Sequence, residues 1–240
     1  MIAKNKIEDR TFTDFNRLFS QKTVISIYGA SGTGKSTLSM QIIGSFLTHL
    51  EPYEDCCVWF QASEAFPKKR LDQMFKKNPR KLEYLTKNIF IIPPGHPCNS
   101  YSDQANSINK IVKKSSILPY NLRFIVIDNI SHHLRYEIMK AEGFREYSTV
   151  VNLFFSDQLL PLIMFCQRED IKLIIIHEVS YNPALDKISP FLDKLYSRIK
   201  CLNIFLSKDF RGRESKMTVE CEDFTCDFKY ELLDTGLKFI

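Results

Sequence analysis

Five short runs of β-branched and aromatic residues punctuate the chain, at 24–28, 57–60, 89–92, 124–127 and 173–176. Each is four or five residues long and apolar nearly throughout. A strand packed on one face alternates apolar and polar residues, whereas a strand covered on both faces does not. The runs therefore predict strands buried on both sides. Between them lie stretches of helical length. In 36–50, apolar residues recur at Leu38, Met40, Ile42, Ile43, Phe46, Leu47 and Leu50, which predicts a helix. The segments 102–114 and 147–168 also read as helical, with Pro161 expected to kink or divide the second. Strands alternating with helices build right-handed βαβ units, hence a parallel sheet with helices on both faces.

The last quarter changes character. Segments 197–206, 216–222 and 227–233 have no helical period. The second alternates through Met217, Val219 and Cys221, and the third through Phe228, Tyr230 and Leu232, the pattern of half-exposed antiparallel strands. Arg211-Gly212-Arg213 supplies a turn between the first two. The expectation is one α/β domain over 1–240: a lead-in at 1–22, a parallel core at 23–196 and antiparallel strands at 197–240.

Composition narrows the classes without changing this picture. Hydrophobic residues make up 44% and charged residues 25% of the 240, the balance of an ordinary globular protein rather than a disordered tail, a collagen or a coiled-coil rod. No apolar run approaches the roughly 18–20 residues of a membrane span, and the first ten residues lack the apolar core of a signal peptide. A cytoplasmic or nuclear location with no membrane partner is expected. The seven cysteines are odd in number and lack zinc-site spacing, so buried reduced thiols are expected. Net charge is +5, yet residues 66–87 alone carry +6. Such a patch suits nucleic acid, an anionic surface or an acidic protein, and equally a solvated helix face.

Chemistry enters after the first strand. Gly29-Ala30-Ser31-Gly32-Thr33-Gly34-Lys35-Ser36-Thr37 lies between strand 24–28 and the helix that follows. The spacing is that of the Walker A phosphate loop, in the structural context that pattern requires. Its glycines let successive N–H groups converge on a phosphate, and the helix N-terminus adds positive charge. Lys35 is placed to reach the terminal phosphates, and Ser36 to hold Mg²⁺. Asp128 ends the buried strand 124–127 and is the expected second ligand to the metal. ATP and Mg²⁺ are the cofactors this implies.

Further segments sort the phosphate-loop families. After strand 57–60 come Gln61-Ala62-Ser63-Glu64-Ala65-Phe66-Pro67-Lys68-Lys69-Arg70-Leu71. Then follow Ile127-Asp128-Asn129-Ile130, Leu134-Arg135-Tyr136-Glu137, Gly143-Phe144-Arg145-Glu146, His177-Glu178-Val179 and a closing run from Phe228 to Leu237. This ordered set resembles the RecA/RadA recombinase family over 23–237, and its short RadB-like paralogues best, because the core begins within the first two dozen residues. The resemblance implies that Glu64 orients the attacking water and that Glu178 stands at the γ-phosphate sensor position, where the family has glutamine. An ionised glutamate beside a triphosphate costs free energy unless it is protonated or faces a metal. Family filaments use a Phe-x-x-Ala peptide; Phe12 and Phe15 precede this core without the alanine, which argues against self-filamentation.

The function implied is a RecA-like ATPase paralogue that assists homologous recombination or DNA repair, with weak Mg²⁺-dependent hydrolysis. Its partners would be single-stranded DNA, a RecA-family recombinase or a paralogue. The segments corresponding to the family's two DNA loops, 137–148 and 180–189, carry only Lys140, Arg145 and Lys187. Candidate DNA contacts are therefore Lys68, Lys69, Lys76, Lys77, Arg80 and Lys81. The alternative is an adaptor that binds nucleotide for stability and offers a protein interface without useful turnover. His132, His133 and His177 lie at strand ends, where polar packing is expected rather than metal.

Overall fold

The computed structural model describes residues 19–50, 53–114, 118–182, 186–208, 214–222 and 224–240. The Arg211-Gly212-Arg213 turn, Phe12 and Phe15 lie outside them. The elements are β1 (Val24–Gly29), α1 (Lys35–Phe46), β2 (His49–Leu50), β3 (Tyr53–Glu54), β4 (Cys56–Gln61), α2 (Lys68–Phe75), α3 (Pro79–Asn88), β5 (Ile89–Ile92) and α4 (Tyr101–Val112). There follow β6 (Leu122–Asp128), α5 (Ser131–Met139), α6 (Phe144–Phe154), a π turn (Phe155–Leu159), α7 (Leu160–Arg168) and β7 (Lys172–His177). The chain closes with β8 (Val179–Asn182), β9 (Lys187–Pro190), α8 (Asp193–Tyr196), β10 (Leu202–Lys208), β11 (Ser215–Cys221), β12 (Phe224–Leu233) and β13 (Gly236–Phe239).

Nine strands form one sheet in the order β13-β12-β11-β10-β1-β7-β6-β4-β5. β10, β1, β7, β6, β4 and β5 run parallel, and β11, β12 and β13 are antiparallel. The α/β sheet expected from the apolar runs is present. One boundary moves: the strand expected to open the antiparallel set pairs parallel to β1, with Ile204 beside Ile27, so the parallel core extends to Lys208. Helices cover both faces. Ile25, Ile27, Trp59 and Ile174 point to the side of α1, while Val58, Phe60, Ile125 and Ile175 point to that of α4 and α7.

Two helices end differently from their apolar pattern. α1 stops at Phe46, and Leu47 turns extended (φ −67°, ψ 117°); the next residue, Thr48, gives its N–H and hydroxyl to Asp55. The long helix is divided by the π turn directly before Leu160-Pro161, where a proline N–H is missing. By length and apolar content Phe144–Arg168 would suit a membrane, but Phe154, Leu159, Leu162, Phe165 and Cys166 are buried in the core on the sheet's second face. The cysteines are free, and all but Cys221 are buried.

β12 buries Cys226, Phe228 and Tyr230 and exposes Asp227, Lys229 and Glu231. This alternation lays the C-terminal meander against α1. Gln41 in α1 accepts from Leu237 N–H (2.7 Å) and donates to Leu237 C=O (2.9 Å), standing in for a β-partner at the sheet edge. Removing such a side chain leaves two backbone groups unpaired. Gln41→Ala should lower unfolding free energy by about 1–3 kcal/mol in urea titrations; a loss below about 0.5 kcal/mol, as for a neutral surface change, would show that the clasp carries no stability.

Candidate nucleotide site

The phosphate loop closes between β1 and α1 because two glycines permit it. Gly34 adopts φ +97°, a left-handed conformation costly for other residues. A Cβ on Gly29 would sit 2.3 Å from Leu206 C=O on the neighbouring strand. Thr33 turns inward, its hydroxyl donating to Ala30 C=O (2.9 Å) and its own C=O accepting from Tyr230 Oη (2.7 Å). The C-terminal meander therefore braces the loop. α1 begins with no acidic residue in its first turn and no side-chain cap, which leaves its N–H groups for an anion.

Strand order brings the acidic groups to this loop. β7 lies between β1 and β6, so the ends of β7 and β6 reach the loop side by side. Ser36 Oγ donates to Asp128 Oδ2 at 2.7 Å. Asp128 is 3% exposed, and burial, opposed by the Ser36 bond, pushes its carboxyl up to about 6, with Glu64 adding to the rise. A buried carboxylate beside a serine hydroxyl is an oxygen donor set suited to Mg²⁺, and the residues present fit that ion. Lys35 Nζ donates to Gly29 C=O (2.9 Å) and Ala30 C=O (3.0 Å). Burial lowers the Lys35 pKa, and Asp128, Glu178 and Glu64 counter the fall.

A cleft of about 840 Å³ joins these groups. Gly29, Ala30, Ser31, Gly32, Gly34, Lys35, Ser36, Thr37, Glu64, Asp128 and Glu178 line it, whereas Thr33, expected with them, is buried beneath the loop. Ala62 and Ser63 N–H both donate to Asp128 C=O (2.7 and 3.3 Å), which fixes the segment bearing Glu64 against β6. The six candidate DNA cations do not line the cleft. Lys68, Lys69, Lys76, Lys77 and Arg80 are exposed, whereas Lys81 folds back to donate to Leu47 C=O at 2.6 Å.

Two arginines in the cleft have roles that the motif resemblance does not imply. Arg70 donates to Thr37 Oγ1 (3.3 Å) and to Leu233 C=O, and pairs with Asp234 at 3.6 Å. Arg135 answers the expected cost of Glu178. Its Nε stands 2.7 Å from Glu178 Oε2, a third way, besides protonation or metal, to hold that carboxylate. Asn129 Nδ2 (3.1 Å) and His132 Nδ1 (3.2 Å) approach the other oxygen. Ser131 and Arg135, four apart on one face of α5, both serve Glu178: Ser131 Oγ accepts its N–H at 3.1 Å. That i,i+4 spacing is the signal in the sequence that could have found them. Among the described residues no group of three or more His, Cys, Asp or Glu side chains is placed to hold a metal ion.

Comparisons agree with the geometry. Residues 9–88 match the model of the NB-ARC domain family, a third of the chain spanning the phosphate loop and its flanking strands. The DNA repair protein RAD57 of Saccharomyces cerevisiae is 28% identical over 182 residues, covering 72% of this chain. This chain spans 37% of that relative's length. The crystal structure of the RadB recombinase superposes with a TM-score of 0.67 at 19% identity, covering 91% of this chain and 90% of that one. The chain has the fold of that recombinase, a RecA-like α/β core. In this RecA-like core the partial NB-ARC match falls on the strand, loop and helix common to phosphate-loop proteins.

His177, just before Glu178, is fully buried, its ring set edge-on to Tyr196 at 4.2 Å. Burial depresses its pKa from 6.5 to about 3. Between those values the unfolded chain binds a proton that the folded chain does not, so stability falls as pH drops below about 6.5. In urea titrations at pH 7, 6 and 5, wild type should lose up to about 1.4 kcal/mol per pH unit more than His177→Phe. Parallel losses in the two proteins would contradict a buried neutral histidine.

Proposed function

We propose that this chain is a RecA-type recombination and repair paralogue that binds ATP and Mg²⁺ in the cleft, hydrolyses ATP slowly, and works with single-stranded DNA or a recombinase partner. The observation that carries this reading is the convergence of Lys35, the Ser36–Asp128 pair and Glu64 on one cleft. The name of the yeast relative supports the repair role, and the shared core supports nucleotide binding. Lys35 would hold the terminal phosphates, and Ser36 with Asp128 would hold Mg²⁺, whose chemistry is to neutralise charge on the phosphates. Glu64, exposed at the cleft wall, would orient a water for in-line attack.

A second reading, the nucleotide-stabilised adaptor, has its own support. The first expected DNA segment is largely helical, and in and beside it Tyr136, Met139 and Phe144 are 55%, 73% and 84% exposed. Its Lys140 is paired with Glu137 at 2.9 Å. Apolar side chains on a surface of that kind suit a protein partner better than phosphates.

One titration separates the two: binding of single-stranded DNA against salt concentration, with and without Mg²⁺-ATP. The recombination reading expects binding at low salt. Replacing Lys76, Lys77 and Arg80 together by alanine should flatten the salt dependence by a slope of roughly 0.7 for each phosphate that is no longer neutralised. An unchanged slope removes the DNA role of this segment, and no binding by wild type favours the adaptor.

A further inference from the structure

The Arg135–Glu178 pair does more than neutralise a carboxylate. The same guanidinium donates through Nη2 to Val179 C=O at 3.0 Å and lies 4.3 Å from the centre of the Phe191 ring. Val179 opens β8, and Phe191 follows directly on Pro190, which closes β9. Phe191 N–H also donates to Glu178 C=O at 2.9 Å. Arg135 therefore holds both feet of the β8–β9 hairpin while its guanidinium is ion-paired, Nε to Oε2 at 2.7 Å, with a carboxylate that lines the nucleotide cleft.

The charges around that end of the cleft make the pair unstable toward a new anion. Asp128, Glu64 and Glu178 line it, and the cations lining it with them are Lys35, whose Nζ donates to Gly29 C=O and Ala30 C=O, and Arg135; Arg70 is engaged by Asp234 and Leu233. A terminal phosphate entering beside Lys35 repels Glu178 and attracts the guanidinium, which recognises phosphate as it does carboxylate, through paired N–H groups. A neutral glutamine at this position would give Arg135 no competing anion.

Resting on the nucleotide-binding reading, we propose that Arg135 reads the terminal phosphate by exchanging its ion pair with Glu178 for that phosphate, and that the exchange loosens the β8–β9 hairpin. The device is an ionic latch in which Glu178 holds Arg135 until a triphosphate, and not a diphosphate, draws it away. Arg135 is thus the phosphate-contacting residue, and Glu178 sets how readily it is released.

The test measures affinity for ADP and for a non-hydrolysable ATP analogue, both with Mg²⁺, in wild type, Glu178→Gln, Arg135→Ala, Arg135→Lys and the Glu178→Gln/Arg135→Ala double variant. Hydrogen exchange of residues 179–182 and 186–191 is followed alongside. Glu178→Gln should raise the preference for the analogue over ADP by about tenfold, and Arg135→Ala should lower it by about as much, the scale of one charge-assisted hydrogen bond. The double variant should match Arg135→Ala, because without the arginine there is nothing for Glu178 to restrain. Arg135→Lys, which keeps the charge, should fall between wild type and Arg135→Ala. In wild type the analogue should speed exchange across 179–182 and 186–191, and ADP should not. Equal shifts in ADP and analogue affinity on removing Arg135, or exchange insensitive to which nucleotide is bound, overturns the latch while leaving nucleotide binding intact. Failure of wild type to bind either nucleotide removes the nucleotide reading and the latch with it.

Discussion

The hydrogen bond from Ser36 to Asp128, 2.7 Å long, joins the first turn of α1 to the end of β6 across the intervening strand β7. It is the contact on which the site depends. Asp128 is nearly inaccessible, and an isolated carboxylate in such a place would be expelled or neutralised. The serine hydroxyl offsets part of that cost, and Lys35 contributes from the same loop. Sheet order makes this possible. Because β7 separates β1 from β6, the phosphate loop, Glu178 and Asp128 arrive at one edge, and β4 adds Glu64 from the far side of β6.

The C-terminal meander is part of the same construction. Tyr230 holds Thr33 within the phosphate loop, Gln41 binds both backbone groups of Leu237, and Arg70 joins Thr37 to Leu233 and Asp234. Three polar links therefore run between the loop, the helices beside it and the last strands. Each is short-range and directional. Leu232, Leu233 and Asp234 in turn form one wall of the cleft. Whatever occupies the cleft meets the end of the chain as well as its beginning.

The apolar runs located the central strands to within a few residues, since strands buried on both faces leave that pattern whatever their neighbours are. Direction was a different matter. The lack of a helical period over 197–206 does not reveal whether the strand's partner runs parallel or antiparallel, and that partner, β1, is remote in sequence. The phosphate loop and Asp128 were legible because their spacing and context are set by local chemistry. Glu178 was legible as a position but not as an interaction, because its charge is held by Arg135 on another element. Lys81 looked like any solvated lysine in a basic stretch; only the folded chain brings Leu47 C=O within its reach.

The central claim is that the loop and Asp128 form a working nucleotide site, and thermal unfolding with and without Mg²⁺-ATP tests it most directly. A ligand that binds only the folded state raises the melting temperature by an amount that grows with the logarithm of its concentration over the dissociation constant. Wild type should gain several degrees at saturating Mg²⁺-ATP, about 2–3 kcal/mol at a hundredfold excess over the dissociation constant. Lys35→Ala, folded and melting near wild type without ligand, should lose most of that gain. An equal gain in both proteins, or none in wild type, would contradict the assignment of this cleft.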